Sequence, residues 1–303
     1  MDRRAFGEDR RAEAALLGVT VVWGLTFSMV KRSLDQIAPF VFMTYRFALA
    51  TLVMLPFLAR RLRGLDRRTL GAGTLLGTLL YSAYSFQTFG LQRTSAGNAG
   101  FITGLFVVFV PALSVCMLRH RPDARSLAAV GMAVAGLALL TLQREIRVNW
   151  GDVLVLCCAF TYSLHIILLS GYSKKHDLAL LTLVQMGVVA SGMAVSAALF
   201  ESFTAPRGWL VWTTIAVCGV IASALAFYVQ AHAQRVLSPV RVSVVLIMEP
   251  VFSVLFGMLL LSERLAPRGW LGCGVIFAAM LLSELRRDGA NGQGKQADVG
   301  RSP

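Results

Sequence analysis

Apolar residues run in long blocks along this chain, separated by short stretches rich in Arg, Lys, Pro, Gly and Asp. The blocks lie near 14–31, 39–59, 69–91, 96–118 and 124–143, and again near 151–171, 178–200, 208–233, 239–261 and 267–285. Each is 18 residues or longer, which suits a helix crossing a bilayer better than one buried in a soluble core. The alternating segments of about ten residues that build a membrane β-barrel are not seen. The pattern predicts an all-α membrane protein with ten transmembrane helices.

Composition agrees. Hydrophobic residues make up 56% and charged residues 15%, against about 45–50% and about 25% in a soluble domain, and the mean hydropathy is +0.66. Too few polar residues remain to cover a soluble core. A net charge of +13 would suggest a nucleic-acid partner in a soluble protein, but its distribution points elsewhere. With the N-terminus placed inside, 20 of the 29 Lys and Arg residues fall on the inner side, 8 on the outer side, and Arg46 within a span. That is the positive-inside pattern. It predicts a multi-pass protein of a bacterial-type inner (plasma) membrane with both termini cytoplasmic, and no nucleic-acid partner. Residues 1–13 read as an uncleaved cytoplasmic tail, because no A-x-A-like cleavage site follows the first span. Residues 287–303, rich in Gly, Asn and Gln, read as a disordered cytoplasmic tail.

The two sets of five spans repeat. Trp23 and Tyr162, Arg46 and Gln185, and Pro111 and Pro250 are each 139 residues apart. "SPVRVSVVLIMEPVFSV" parallels "TSAGNAGFITGLFVVFVPALSV". Five is odd, so tandem copies insert in opposite orientations. The expected units are 14–143 and 151–286, two inverted five-helix repeats, a design that suits alternating access to a midplane site.

Several short motifs resemble the EamA branch of the drug/metabolite transporter superfamily. "VVWGLTF" at 21–27 is similar to that family's first-span W-G motif, and "TYRFALA" at 44–50 to its second-span Arg motif. "GLQRTSAGNAGFITGLFVVFVP" at 90–111 is similar to its third-to-fourth span junction, and "MEPVFSVLFGMLLLSERL" at 248–265 to its Glu-Pro and Ser-Glu-Arg motif. The resemblance covers about residues 12–286. It implies ten helices in two inverted halves and a central cavity lined by spans 1, 3, 4, 6, 8 and 9. It also implies export of amino acids or other small metabolites. The first half departs from the motif: Val110 precedes Pro111, and Pro122 stands where the repeat predicts an equivalent of Glu263.

Few residues in the spans can carry chemistry. Glu249 is the only acid deep inside one. A charge in hydrocarbon costs about 2.5 kcal/mol or more, so Glu249 must face the bundle. There it is a proton carrier, a contact for a substrate amine, or a structural acid beside the Pro250 kink. Arg46, seven residues into the second span, either snorkels to the interface or meets a substrate carboxylate. His165 lies one turn after Tyr162 and is a second proton-coupling candidate, or a satisfied bundle histidine. Tyr81, Tyr84, Ser85 and Thr88 share one face of the third span. Trp23, Thr26 and Phe27 share a side of the first. Asn98, Phe101 and Thr103 add to the set from the fourth, and Tyr228 and Gln230 from the eighth. The set suits a cavity gripping a small organic molecule; helix–helix hydrogen bonding and aromatic belts are the structural alternative. Gly73–Gly77 and Gly100–Gly104 are GxxxG pairs that favour close helix packing.

The five cysteines, Cys116, Cys157, Cys158, Cys218 and Cys273, lie in apolar runs without zinc-ligand spacing, so neither metal nor cofactor is expected. No GxxxxGK[ST] loop is present to use ATP, and no HExxH or GxSxG to hydrolyse a bond. The sequence therefore predicts a secondary transporter, an exporter of small metabolites, rather than an enzyme. Its partners are a small-molecule substrate and the lipid bilayer, and its oligomeric state is open. The alternatives are a non-catalytic interaction or regulatory membrane protein, and a membrane enzyme acting on lipid substrates.

Overall fold

A computed structural model describes residues 3–94, 96–119, 122–141, 149–261 and 264–284, with the backbone alone for 3–6, 96–98, 261 and 284. Among these the secondary structure is helical and no strand occurs. The first half holds α1 (Arg3–Ser33), α2 (Pro39–Leu58), α3 (Arg67–Leu91), α4 (Ala96–Gly104), α5 (Phe106–Leu118) and α6 (Ala124–Thr141). The second holds α7 (Trp150–Tyr172), α8 (Leu178–Phe200), α9 (Gly208–Ala216), α10 (Ala226–Val236), α11 (Pro239–Leu246), α12 (Glu249–Leu261) and α13 (Pro267–Glu284). A π-helical stretch, Val217–Leu225, joins α9 to α10. Among the described residues, eight helical stretches are long and apolar enough to cross a membrane, and Pro267–Ser283 is a shorter apolar helix. The 25-residue α3 is long enough but carries Tyr, Ser, Gln and Thr along its second half.

Polar caps set the helix starts. Asp66 accepts from the Thr69 N–H at the head of α3. Asn149 and Asp152 form a reciprocal capping box on α7. Asp177 accepts from the N–H groups of Ala179 and Leu180 on α8. Each satisfies donors that the first helical turn leaves free.

Three features depart from the sequence reading. First, α1 begins at Arg3, so residues 3–13 of the expected tail are helical and continuous with the first span. Asp9 and Glu13, one turn apart, both pair with Arg241 of α11 and hold this extension on the bundle. Second, the blocks at 96–118 and 239–261 are not single helices. One breaks at Leu105, between α4 and α5, and the other at Ile247–Met248, between α11 and α12. Third, the eighth block is π-helical through its middle. The expected tail at 287–303 and Glu263 lie outside the described residues.

The helices interlock across the halves. α3 lies against α7 and α8, α1 against α12 and α10, α2 against α8 and the π stretch, α5 against α7, and α6 against α13. Close approach rests on glycine at a few points. A Cβ at Gly24 would sit 2.7 Å from the Ser253 N on α12, and one at Gly272 would sit 2.6 Å from the Gly136 O on α6. Gly73 and Gly77 likewise press on Val184 and Val188 of α8, as the GxxxG spacing predicts. Trp209, Trp212 and Trp270 are each at least half-exposed.

Candidate functional site

The interruptions of the spans meet one another. A Cβ on Gly104, at the end of α4, would lie 3.1 Å from the Ile247 Cδ1 at the α11–α12 break. Broken helices at membrane depth expose backbone groups and are tolerated where they line protein or a cavity. Glu249 stands in the first turn of α12, immediately after its break. There the N-terminal turn of a helix favours a negative charge. Glu249 is half-buried, midway along the 239–261 block. Arg46, Tyr84 and Tyr162 lie within its electrostatic reach.

Arg46 does not snorkel. It is buried, and its Nε donates to the Ser223 Oγ at 2.8 Å while an Nη reaches the Ala222 O at 3.4 Å. Its guanidinium stacks over Phe47 at 5.2 Å and Tyr84 at 5.8 Å from the ring centres. The same Ala222 O accepts from the Trp23 Nε1 at 2.8 Å. Two donors from α1 and α2 thus converge on one carbonyl of the π stretch, whose widened turn is a common functional distortion. The W-G pair of the first span now has a division of labour. Trp23 docks on the π stretch, and Gly24 lets α1 touch α12.

An aromatic chain continues from there. Trp23 packs on Phe227 at 5.5 Å, and Phe227 meets His165 edge-on at 6.4 Å. His165 stacks on Tyr162 at 6.0 Å with 7° between planes, and Tyr162 abuts Phe106 at 5.5 Å. Gln230 Nε2 donates to the Tyr162 hydroxyl at 3.5 Å. His165 Nε2 bonds the Gln185 Oε1 at 2.8 Å. The Ser85 Oγ, the Gln230 Oε1 and the His165 Nδ1 are buried without a hydrogen-bond partner in the protein, which is uncommon enough to need a reason.

The structure brings Trp23, Tyr84, Tyr162, His165, Gln230, Arg46 and Glu249 into this neighbourhood. Phe101 on α4 is half-buried, and Thr103 beside it accepts from the Gln87 Nε2 at 3.4 Å. Thr26 and Thr88 turn their hydroxyls back to their own helices, to the Trp23 O and the Tyr84 O. Tyr81 bonds the Ser196 Oγ on α8 at 2.8 Å and packs on Gly192, so it serves the α3–α8 contact. Tyr228 does not join the site. It falls on the exposed stripe of Ile221, Leu225, His232 and Val236, because residue 228 sits about 200° around the helix from Gln230. The side chain of Asn98 lies outside the described residues. Sequence reasoning missed Gln185, Ser223 and Phe227. Gln185 is a lone amide midway along the apolar α8, which is the signal that could have flagged it.

One end of this region is closed. In α11 and the following break, Pro239, Val240 and every residue from Val242 to Met248 are buried. Arg241, paired with Asp9 and Glu13, locks that end. Toward the other end, Phe27 is 52% exposed. It lies nine residues beyond Gly18, on the side of α1 opposite the outward stripe of Arg11, Ala14 and Gly18, between buried Thr26 and Ser28. Among the described residues no group of three or more His, Cys, Asp or Glu could hold a metal ion.

These features define a multi-pass helical membrane protein whose polar-aromatic site sits at interruptions of its spans. The sequence profile of the EamA-like transporter family matches the chain twice, over residues 10–142 and 149–285, and the chain belongs to that family. It is 33% identical over 279 residues to a protein of Archaeoglobus fulgidus named an uncharacterized transporter, covering 91% of this chain and 86% of that one. It is 25% identical over 282 residues to the uncharacterized inner membrane transporter YedA of Escherichia coli, covering 89% and 90%. A solved crystal structure shares the fold at a TM-score of 0.79 and 17% identity, covering 91% of this chain and 98% of that one.

Proposed function

We propose that this protein is a secondary transporter that exports small metabolites such as amino acids by alternating access. In this reading it has ten membrane helices in two inverted repeats, in an inner membrane with both termini cytoplasmic. The interlocking of the halves supports the repeat. Exchanging α1, α2 and α3 for α7, α8 and the π stretch with α10, and α5 for α12, turns the contact of α3 with α7 into that of α10 with α1. It also turns the contact of α3 with α8 into that of the π stretch with α2, and that of α1 with α12 into that of α7 with α5. The pairs α2–α8 and α6–α13 map onto themselves, as pairs beside a two-fold axis do.

The observation that carries the reading is the placement of Glu249. It stands in the first turn of α12, within electrostatic reach of Arg46, Tyr84 and Tyr162. Discontinuous helices meeting near the midplane are where transporters hold substrate and coupling ions. Glu249 takes a substrate ammonium or a proton, and Arg46 lies close enough to bias a substrate carboxylate. Trp23, Tyr84, Ser85, Phe101, Tyr162 and Gln230 supply the walls. His165, fully buried and tied to Gln185, positions Tyr162 and is the secondary candidate for proton coupling. Closure at the Arg241 end and the exposure of Phe27 toward the other end support an outward-facing state.

Counterflow of labelled amino acids and related metabolites in proteoliposomes tests this. Saturable exchange that requires the purified protein is expected, with its pH dependence abolished by Glu249→Gln. Absence of exchange across a broad substrate panel overturns the transporter reading and favours a regulatory or interaction role. Unchanged transport and pH dependence in Glu249→Gln overturns the role of that residue alone.

A further inference from the structure

We propose that the end of the bundle bearing Arg67 and Lys175 holds an anionic phospholipid, its phosphate in a basic recess and an acyl chain in the adjoining apolar groove. The recess, about 690 Å³, lies between the head of α3 and the α7–α8 turn and is lined in part by Arg67, Arg68, Lys175 and Tyr172. That volume is in the range of small-molecule sites, about 300–1,000 Å³. Two carboxylates also line it, but both are committed. Asp66 caps α3, and Asp177 caps α8 while pairing with Arg61 at 3.1 Å. His176 is held by the Thr69 Oγ1 at 2.8 Å. Arg67, Arg68 and Lys175 pair with no carboxylate among the described residues. Three exposed cations thus remain uncompensated around a concave surface, which calls for an anion.

The second observation identifies the kind of anion. Tyr172 and Lys175 also border a groove of about 190 Å³ whose other walls are Met117, Leu118, Ile167, Leu168 and Gly171. The groove is apolar apart from those two residues and runs between the ends of α5 and α7. A side chain added at Gly171 would meet nothing within 4 Å, so the groove is open there. A free phosphate fills the recess and leaves the groove bare. A neutral lipid fills the groove and leaves the cations bare. Only an anionic lipid satisfies both, with Tyr172 at the junction, where amphipathic rings sit at headgroup level. Basic pockets between membrane helices bind anionic headgroups by this chemistry. The helix ends involved are those that carry the inner-side charge excess, so the lipid belongs to the cytoplasmic leaflet, a placement that rests on the proposed orientation.

The purified full-length protein in detergent is titrated with phosphatidylglycerol, with phosphatidylcholine of matched chains, and with inorganic phosphate. Melting temperature and lipid adducts in native mass spectrometry are read for each. Phosphatidylglycerol is expected to raise the melting temperature and to give a retained adduct, and the other two to do neither. Substituting Arg67, Arg68 and Lys175 by Gln weakens phosphatidylglycerol retention about fivefold per charge removed. Gly171→Phe fills the groove and abolishes retention of the long-chain lipid while leaving lipid-free melting unchanged. If the triple variant melts early without lipid, Lys175→Gln alone carries the charge test. Equal response to phosphatidylcholine, a phosphate effect that matches the lipid's, or wild-type retention by the charge and groove variants overturns the proposal.

Discussion

His165 on α7 and Gln185 on α8 hold each other through one buried hydrogen bond of 2.8 Å, from the imidazole Nε2 to the amide Oε1. The amide is fixed in turn, its Nε2 donating to the Leu181 O at 3.2 Å. Because the oxygen accepts, the imidazole proton sits on Nε2 and leaves Nδ1 bare. Gln185→Leu is therefore expected to destabilise the fold by about 1–3 kcal/mol, the cost of stranding a buried donor. The double variant His165→Phe with Gln185→Leu should be closer to wild type than the single one, since both partners are then apolar. Thermal melting of the four proteins in detergent measures this. A double variant that sums the two single losses would show that the bond is not what the pair contributes.

Trp23→Phe keeps a ring against Phe227 but removes the donor to the Ala222 O. The expected loss is about 0.5–1.5 kcal/mol, the net worth of one hydrogen bond. Arg46→Lys is not conservative here. It discards the planar fork that reaches both Ser223 and Ala222 and stacks on Tyr84, because an ammonium offers no such plane. Transport in proteoliposomes should fall further in Arg46→Lys than in Trp23→Phe, and the reverse order would argue against a site role for Arg46.

Gly24→Ala places a methyl 2.6 Å from the Phe252 Cβ and 2.7 Å from the Ser253 N. Backbone cannot yield as a side-chain tip can, so α1 must move off α12, at a cost of about 1–3 kcal/mol for overpacking. Gly71→Ala, where nothing lies within 4 Å, is the matched control and should be neutral or slightly stabilising through helix propensity. Melting temperatures of the two variants decide it.

Asp66 offers a pH test outside the membrane. Hydrogen bonds from the Thr69 side chain and N–H hold its carboxyl below the usual carboxylate range. A carboxyl depressed in the folded state stabilises above its unfolded pKa, and that contribution is lost as pH falls through the folded value. Asp66→Asn should therefore melt earlier than wild type at neutral pH, with the gap closing under acid conditions. A gap that persists at low pH would assign the effect to cap geometry and not to charge.

The membrane class and most of the long apolar helices were legible in the sequence, because spanning lipid demands about 20 apolar residues in a row and leaves little freedom. The family motifs were legible as short strings. Glu249 was legible as the lone acid inside a span, and Tyr162 with His165 as neighbours one turn apart. What could not be read was the distortion of the backbone. Leu105 sits in an unbroken apolar run, and nothing at Val217–Leu225 announces a π stretch that takes the Trp23 and Arg46 donors. Tyr228 was misplaced because composition identifies a polar-aromatic pair but not which side of the helix faces the bundle. Gln185 was noted only as a repeat partner of Arg46, yet its bond runs to α7 of its own half and not across the molecule.

The reach of Arg46 sets a condition on how this protein is made. Its hydrogen-bond acceptor Ser223 lies 177 residues later in the chain. At about 5–20 residues per second, roughly 9–35 s of synthesis separate the two. For that interval the nascent second span carries a cation whose final acceptor does not yet exist. The final setting of α2 therefore depends on the arrival of the Val217–Leu225 stretch. Biogenesis of the first half is thus incomplete until the second is inserted, and a chain truncated before Ser223 is a natural substrate for membrane quality control.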